Sequence, residues 1–262
     1  MISLLWPVFL LSVVLLGIHS YFGLEVIRRG IIFTDLAIGQ MSALGAAVSL
    51  LLLDGRFVYP LAVGFALGTA LLIALGRRRM VNLEAFIGIL YAFGLAGVFL
   101  LLSQSAHGLE EFNELMAADV LFTPLAKIVR VAVWYAVLGT LLWALRRLRS
   151  GLLRDVFFFT VFALTVTSSV ELAGVLVVFA ILVGPASIVL HRGASRPLPA
   201  AWLIGTVVNL AAILGSYRLD LPTGYSLVFT HALTALAVIL TTKKRAARAP
   251  DGPTGGMRTG AS

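Results

Sequence analysis

Apolar runs long enough to cross a bilayer follow one another along this chain with only short charged breaks between them, and that pattern leaves few folds open. The runs lie at Leu4 to Ile27, Ile31 to Leu53, Phe57 to Leu75, Ala85 to Leu102, Leu125 to Leu145, Val156 to Val170, Gly174 to Leu190, Leu198 to Ser216 and Ser226 to Leu240. A membrane helix needs about 20 mostly apolar residues, because it rises about 1.5 Å per residue through a hydrocarbon core roughly 30 Å thick. The breaks, among them Arg28-Arg29-Gly30, Asp54-Gly55-Arg56 and His191 to Pro197, supply the charge, Gly or Pro at which a helix stops. With 60% hydrophobic and only 12% charged residues, the chain falls well short of the ~25% charge of soluble domains. The expected fold is an all-α integral membrane protein of about nine transmembrane helices. Residues 1–244 form one polytopic domain, and 245–262, rich in Gly, Pro, Ala and Arg, form a disordered tail.

Orientation follows from the basic residues. Numbering the breaks alternately puts sixteen of the twenty Lys and Arg on one side of the membrane, and the positive-inside rule makes that side the cytoplasm. The N-terminus is then outside and the C-terminus cytoplasmic. The first run has no basic segment before it and no small-residue cleavage pattern, so it is counted as a span and not a cleaved signal. The net charge of +8 is in this setting a topology signal, and no nucleic-acid partner is expected.

Several chemistries are excluded by residue type. The only lysines are Lys127, Lys243 and Lys244, and none completes the G-x-x-x-x-G-K-[ST] loop that cradles nucleotide phosphates. There is no H-E-x-x-H, no G-x-S-x-G and no cysteine. The chain is therefore expected to have no catalytic residues and no bound cofactor of its own.

Charges in or beside spans need reasons. Glu25, Glu84 and Asp155 lie near the basic boundary and are expected to pair with Arg28, Arg29, Arg79 and Arg154. Asp35 with Gln40 differs, because its helix is interrupted by Gly39, Gly45, Ala46 and Ala47, small residues that permit close packing or an unwound turn. Transporters present carboxylates to cations at such interruptions, so Asp35 reads either as a path residue or as a core hydrogen-bonding group. His19 and His231 read as satisfied bundle residues. His107, Glu110, Glu111 and Glu114 have the spacing of one helical face, which either attracts a cation before entry or is a solvated acidic loop.

Several stretches, in order, resemble the membrane permease of ABC transporters for zinc, manganese or iron. Tyr21 to Gly30 is similar to that family's first helix end, Phe33 to Ala37 to the polar start that follows, and Glu84 to Leu90 to its acidic-then-Ile-Gly motif. Asp119 to Phe122 is similar to the segment before its fifth helix. The most specific matches are the helix from Ala173 to Ala186, containing Gly174 and Pro185, and the turn from Gly215 to Gly224, containing Asp220, Pro222 and Gly224. The resemblance implies a homodimer in a bacterial-type plasma membrane. It also implies two cytoplasmic ATPase subunits that bind the ATP, an extracytoplasmic metal-binding protein as donor, and a divalent metal as transported substrate.

Two departures stand out. The family's Asp-x-x-x-His pattern is here Asp35 followed by Gly39 and Gln40, and an amide is a poorer zinc ligand than imidazole. Its cytoplasmic docking helix is replaced by Arg146 to Asp155, so Arg146, Arg147, Arg154 and Asp155 become the expected ATPase-coupling residues. Two other classes compete: an ion-gradient-driven secondary transporter with Asp35 as its proton or sodium site, and a non-transport membrane assembly subunit.

Overall fold

The structure is a computed structural model that describes residues 2–105, 110, 123–145 and 151–242, with side chains for 5–105, 110, 123–144 and 151–242. Nine helices are found among these residues, and they follow the apolar runs: α1 (Ile2–Arg29), α2 (Thr34–Leu53), α3 (Val58–Gly76), α4 (Leu83–Leu102), α5 (Leu125–Leu145), α6 (Leu152–Ala173), α7 (Val175–His191), α8 (Pro197–Leu219) and α9 (Thr223–Thr241). Eight of them have the length and apolarity to cross a membrane. The other, α7, has 17 residues and rises about 26 Å, the short end of what spans a bilayer. The chain is a multi-pass membrane protein.

The helices stop where backbone chemistry allows a turn. Gly30, Gly55, Gly174 and Gly193 take positive φ, and so do Asp54 and Asp220, the residues that close α2 and α8. Left-handed closure satisfies the last carbonyls of a helix, as where the N–H groups of Asp54 and Gly55 both donate to Ser49 O.

Packing is organised around α1, which lies against α7 and α8, while α9 covers those two. The α6 helix packs on α3, α2 is held between α3 and α4, and α5 rests mainly on α1 and α6. Small residues set these distances. A Cβ added at Gly23 of α1 would fall 2.0 Å from the Leu182 carbonyl oxygen of α7, and one at Gly45 of α2 would fall 2.4 Å from the Leu61 carbonyl oxygen of α3. Such backbone approach is how membrane helices gain dispersion contact where burial from water offers nothing. The widest side chains gather in one place: Phe22 meets Phe162 at 4.6 Å and Phe158 at 5.6 Å between ring centroids.

The structure changes two expectations. The sixth apolar run extends only from Val156 to Val170, yet α6 begins at Leu152 and continues through Glu171 to Ala173. Glu171 stays in the helix because it sits at an exposed end and pairs with Lys127 at 2.8 Å; the stop is Gly174, whose φ of 78° and ψ of 157° suit glycine. Thr165, Thr167 and Ser169 of α6 are buried, and Tyr135 of α5 reaches across to Ser168 and Ser169. Second, α2 is a continuous helix with no unwound turn. Its small residues serve close packing instead: Gly45 meets α3, and Gly39 faces Val170 and Val175 at the junction of α6 and α7.

Candidate functional site

Two carboxylates gather where α2 and α4 begin. Asp35 stands in the first turn of α2 and is only 2% exposed, with a buried Oδ1 that has no hydrogen-bond partner. Glu84 stands in the first turn of α4 and accepts the Phe33 N–H through Oε1 at 3.1 Å, whereas its buried Oε2 has no partner. The two acids lie near enough to interact electrostatically. No side chain caps α2, since Phe33 occupies the N-cap and stacks on Phe179 of α7 instead. The N–H groups of that first turn, those of Asp35 and Leu36 directed at the Asp35 carboxylate, give partial positive charge to the place where both acids sit. An incompletely paired buried carboxylate is expensive, so this corner suits a cation or a proton.

Glu84 was expected to pair with Arg79; it bonds to the α2 entry instead. Sequence reasoning missed its place beside Asp35, and the only available signal was its position at a helix start, just after the Asn82 cap that accepts the Ala85 N–H at 3.1 Å. Gln40 is not brought to Asp35. Five positions on a regular helix turn the side chains roughly 140° apart, and Gln40 is where the backbone of α2 meets Gly94 of α4.

A second polar cluster ties the arginine-rich ends of α1, α3 and α6 together. Arg29 donates to Glu25 Oε2 from Nε at 3.3 Å and from Nη2 at 3.2 Å, and to Asp155 Oδ1 from Nη1 at 3.4 Å. Its guanidinium lies 4.0 Å from the centre of the Phe158 ring. Arg77, just past the end of α3, also donates to Asp155. Glu25 and Asp155 do pair with the boundary arginines, Arg29 serving both; Arg154 is not the partner of Asp155, because adjacent residues on a helix point about 100° apart. Arg154 is exposed, and with Asp155 it lies in the first turn of α6 and not in a loop.

The remaining named residues fall as follows. Pro185 is inside α7, Pro222 occupies the N-cap of α9, and Gly224 lies in the first turn of α9, facing Val177. His231 Nε2 bonds to Asn209 Oδ1 at 2.7 Å, and Asn209 in turn donates to Ser12 O. His19 is satisfied only at Nδ1, against Leu15 O at 2.8 Å; its Nε2 is buried without a partner. Glu110 is exposed, whereas His107, Glu111 and Glu114 lie outside the described residues, as do Arg146 and Arg147. Among the described residues no three His, Asp or Glu side chains converge as a metal-binding group.

Comparison with known proteins bears on the half of the bundle formed by α6 to α9. Residues 147–242 match the ABC 3 transport family. Over these residues the resemblance to an ABC transport family is borne out. The matched segment contains Gly174, Pro185, Asp220, Pro222 and Gly224, whereas Asp35 and Glu84 precede it. Among solved structures the chain is similar to PsaBC from Streptococcus pneumoniae in complex with Fab, with a TM-score of 0.70 and 17% identity over 91% of this chain and 92% of that one. It is also similar to an inward-facing conformation of a protein described as a metal-chelate type ABC transporter, with a TM-score of 0.64 and 17% identity over 89% of this chain and 85% of that one. Identity at this level speaks for the fold, and the fold agrees along nearly the whole chain. No curated protein matches it by sequence.

Proposed function

We propose that this chain is the membrane permease subunit of an ABC transporter that moves a divalent metal ion inward across a bacterial-type plasma membrane. The observation that carries the reading is the buried carboxylate of Asp35 with its unpartnered Oδ1, set in a chain whose 147–242 segment matches the ABC 3 transport family and whose fold is similar to those of PsaBC and a metal-chelate type ABC transporter. A divalent cation passing this corner would be drawn by Asp35 and Glu84. Two carboxylates, with no third His, Asp or Glu beside them among the described residues, suit brief occupancy, because conduction needs ligands strong enough to replace hydration yet weak enough to release the ion.

The chain has no P-loop, so the driving force comes from a separate ATPase. ATP binding there acts on this subunit only by favouring one access state over the other through differential interaction. Two copies of the chain, two ATPase subunits and an extracytoplasmic metal donor make up the proposed assembly. The arginine-rich ends of α1, α3 and α6 form the face that meets the ATPase, with Arg154 exposed for contact and Asp155 holding the face together from inside.

Proteoliposomes carrying the chain with its ATPase subunit test this reading. ATP-dependent uptake of manganese, zinc or iron, absent when the ATPase subunit is omitted, is the expected result. Metal accumulation driven by a proton or sodium gradient without ATP would overturn it in favour of a secondary transporter.

A further inference from the structure

Between α1, α5 and α8 the surface of the bundle opens into a groove of about 420 Å³. Gly17 and Tyr21 of α1 belong to its floor, Tyr135, Gly139 and Trp143 of α5 to one wall, and Trp202 of α8 to the other. Two of these aromatic side chains have their polar atoms occupied elsewhere. The Tyr135 hydroxyl is engaged by Ser168 and Ser169 of α6, and the Trp202 indole N–H donates to the Gly17 carbonyl at 3.0 Å. The groove is bordered mainly by carbon.

Its length and position identify the occupant. The lining runs from Val13 to Tyr21 on α1 and from Ala132 to Trp143 on α5. At about 1.5 Å per residue these stretches measure about 12 Å and about 16 Å, close to half of a hydrocarbon core roughly 30 Å thick. That is the depth of one leaflet. The groove lies toward the arginine-rich side. Arg28 follows Tyr21 by two helical turns on the same face of α1, is half-exposed and lies 3.9 Å from Glu25, which Arg29 holds more closely, and the exposed Arg196 immediately precedes α8. An apolar channel one leaflet deep with two arginines beyond its end matches a phospholipid with an anionic headgroup.

We propose that this groove binds an acyl chain of an anionic phospholipid from the leaflet on the arginine-rich side, with the phosphate held by Arg28 and Arg196. The lipid completes the packing of α5, which rests mainly on α1 and α6 and has no strong contact with α8. The proposal does not depend on what the chain transports.

The two glycines provide the test. A Cβ added at Gly17 or at Gly139 meets nothing within 4 Å, so the side chains of Gly17→Leu and Gly139→Leu start into the open groove, and leucine favours helix more than glycine does. The full chain is reconstituted in phosphatidylcholine vesicles containing brominated phosphatidylglycerol or, in parallel, brominated phosphatidylcholine, and tryptophan fluorescence is read. Wild type is expected to be quenched more by the brominated phosphatidylglycerol, with an apparent preference of up to roughly thirtyfold, the scale that two basic side chains near a headgroup give at about 1 kcal/mol each. Each leucine variant should lose that excess. Arg28→Gln combined with Arg196→Gln should keep quenching by both lipids and lose the preference. Equal quenching of wild type by the two lipids, or an undiminished excess in both leucine variants, would overturn the proposal. So would a disulfide formed between two Trp143→Cys chains in dilute vesicles, since it would make the occupant a second copy; the chain has no other cysteine.

Discussion

Removing the Arg29 side chain should destabilise the protein more than removing either acid or the second arginine of its cluster. Arg29 is 12% exposed and is shared by Glu25, 24% exposed, and Asp155, 17% exposed. Arg29→Ala leaves two partly buried carboxylates without their common cation and also removes the contact with Phe158. Glu25 then keeps only Arg28 at 3.9 Å and Asp155 only Arg77, so the loss is the charge-assisted hydrogen bonding to two acids, about 3–6 kcal/mol at about 1.5–3 kcal/mol each, to which the lost ring contact adds about 0.5–1 kcal/mol. Asp155→Ala is milder, because Arg29 keeps Glu25 and the ring; the loss is one charge-assisted hydrogen bond of about 1.5–3 kcal/mol. Arg77 is 39% exposed, water takes over its solvation, and Arg77→Ala should cost about 0.5–1 kcal/mol. In a chain of this size 1 kcal/mol moves the melting temperature by roughly 2–4 °C. Thermal unfolding in detergent should therefore rank the variants Arg29→Ala, Asp155→Ala, Arg77→Ala, with the first lower than wild type by about 6 °C or more. A neutral Arg29→Ala, or Arg77→Ala as the most damaging of the three, would refute the assignment of Arg29 as the shared cation.

Gly23→Leu should prevent α1 and α7 from closing, because even its Cβ would overlap the Leu182 carbonyl; folded yield after extraction should collapse, while Gly17→Leu on the same helix extracts normally. Reporter fusions should place Gly55 outside and the end of α9 in the cytoplasm, as the basic asymmetry requires, and opposite labelling at either point would invert the topology. Gln40→His should leave metal preference in transport assays within about twofold of wild type, since i, i+5 positions on a regular helix do not converge; a marked shift toward zinc would mean that α2 unwinds during transport.

The helix count and order were readable because apolar length and the breaks between runs are local properties. Gly30, Gly55 and Asp220 turn the chain at positions that composition alone marks. What was not readable depends on which helices meet. A charge ends an apolar run without ending a helix, so Glu171 hid the full length of α6 until Lys127 of α5 was seen beside it. Asp155 has several arginines to choose from in the sequence, and only the fold selects Arg29 and Arg77, 126 and 78 positions away. Gly39 and Gly45 carry the same signal whether a helix unwinds or packs closely, and only the approach of Leu61 and Val175 decides for packing. Asp35 was singled out from sequence because a carboxylate in a span needs a reason; Glu84 was set aside because nearby arginines supplied an apparent one.

The central claim is that Asp35 meets the transported ion and is not a structural group. ATP-driven metal uptake by the assembled transporter, measured per folded molecule for Asp35→Asn, tests it most directly. Removing a charge whose Oδ1 has no partner should leave the melting temperature and ATPase assembly unchanged or slightly improved, while uptake falls by about tenfold or more, the loss of about 1.5 kcal/mol or more from one charged contact. Unchanged uptake from Asp35→Asn protein, or a loss of uptake that only tracks a loss of folded protein, would contradict the account.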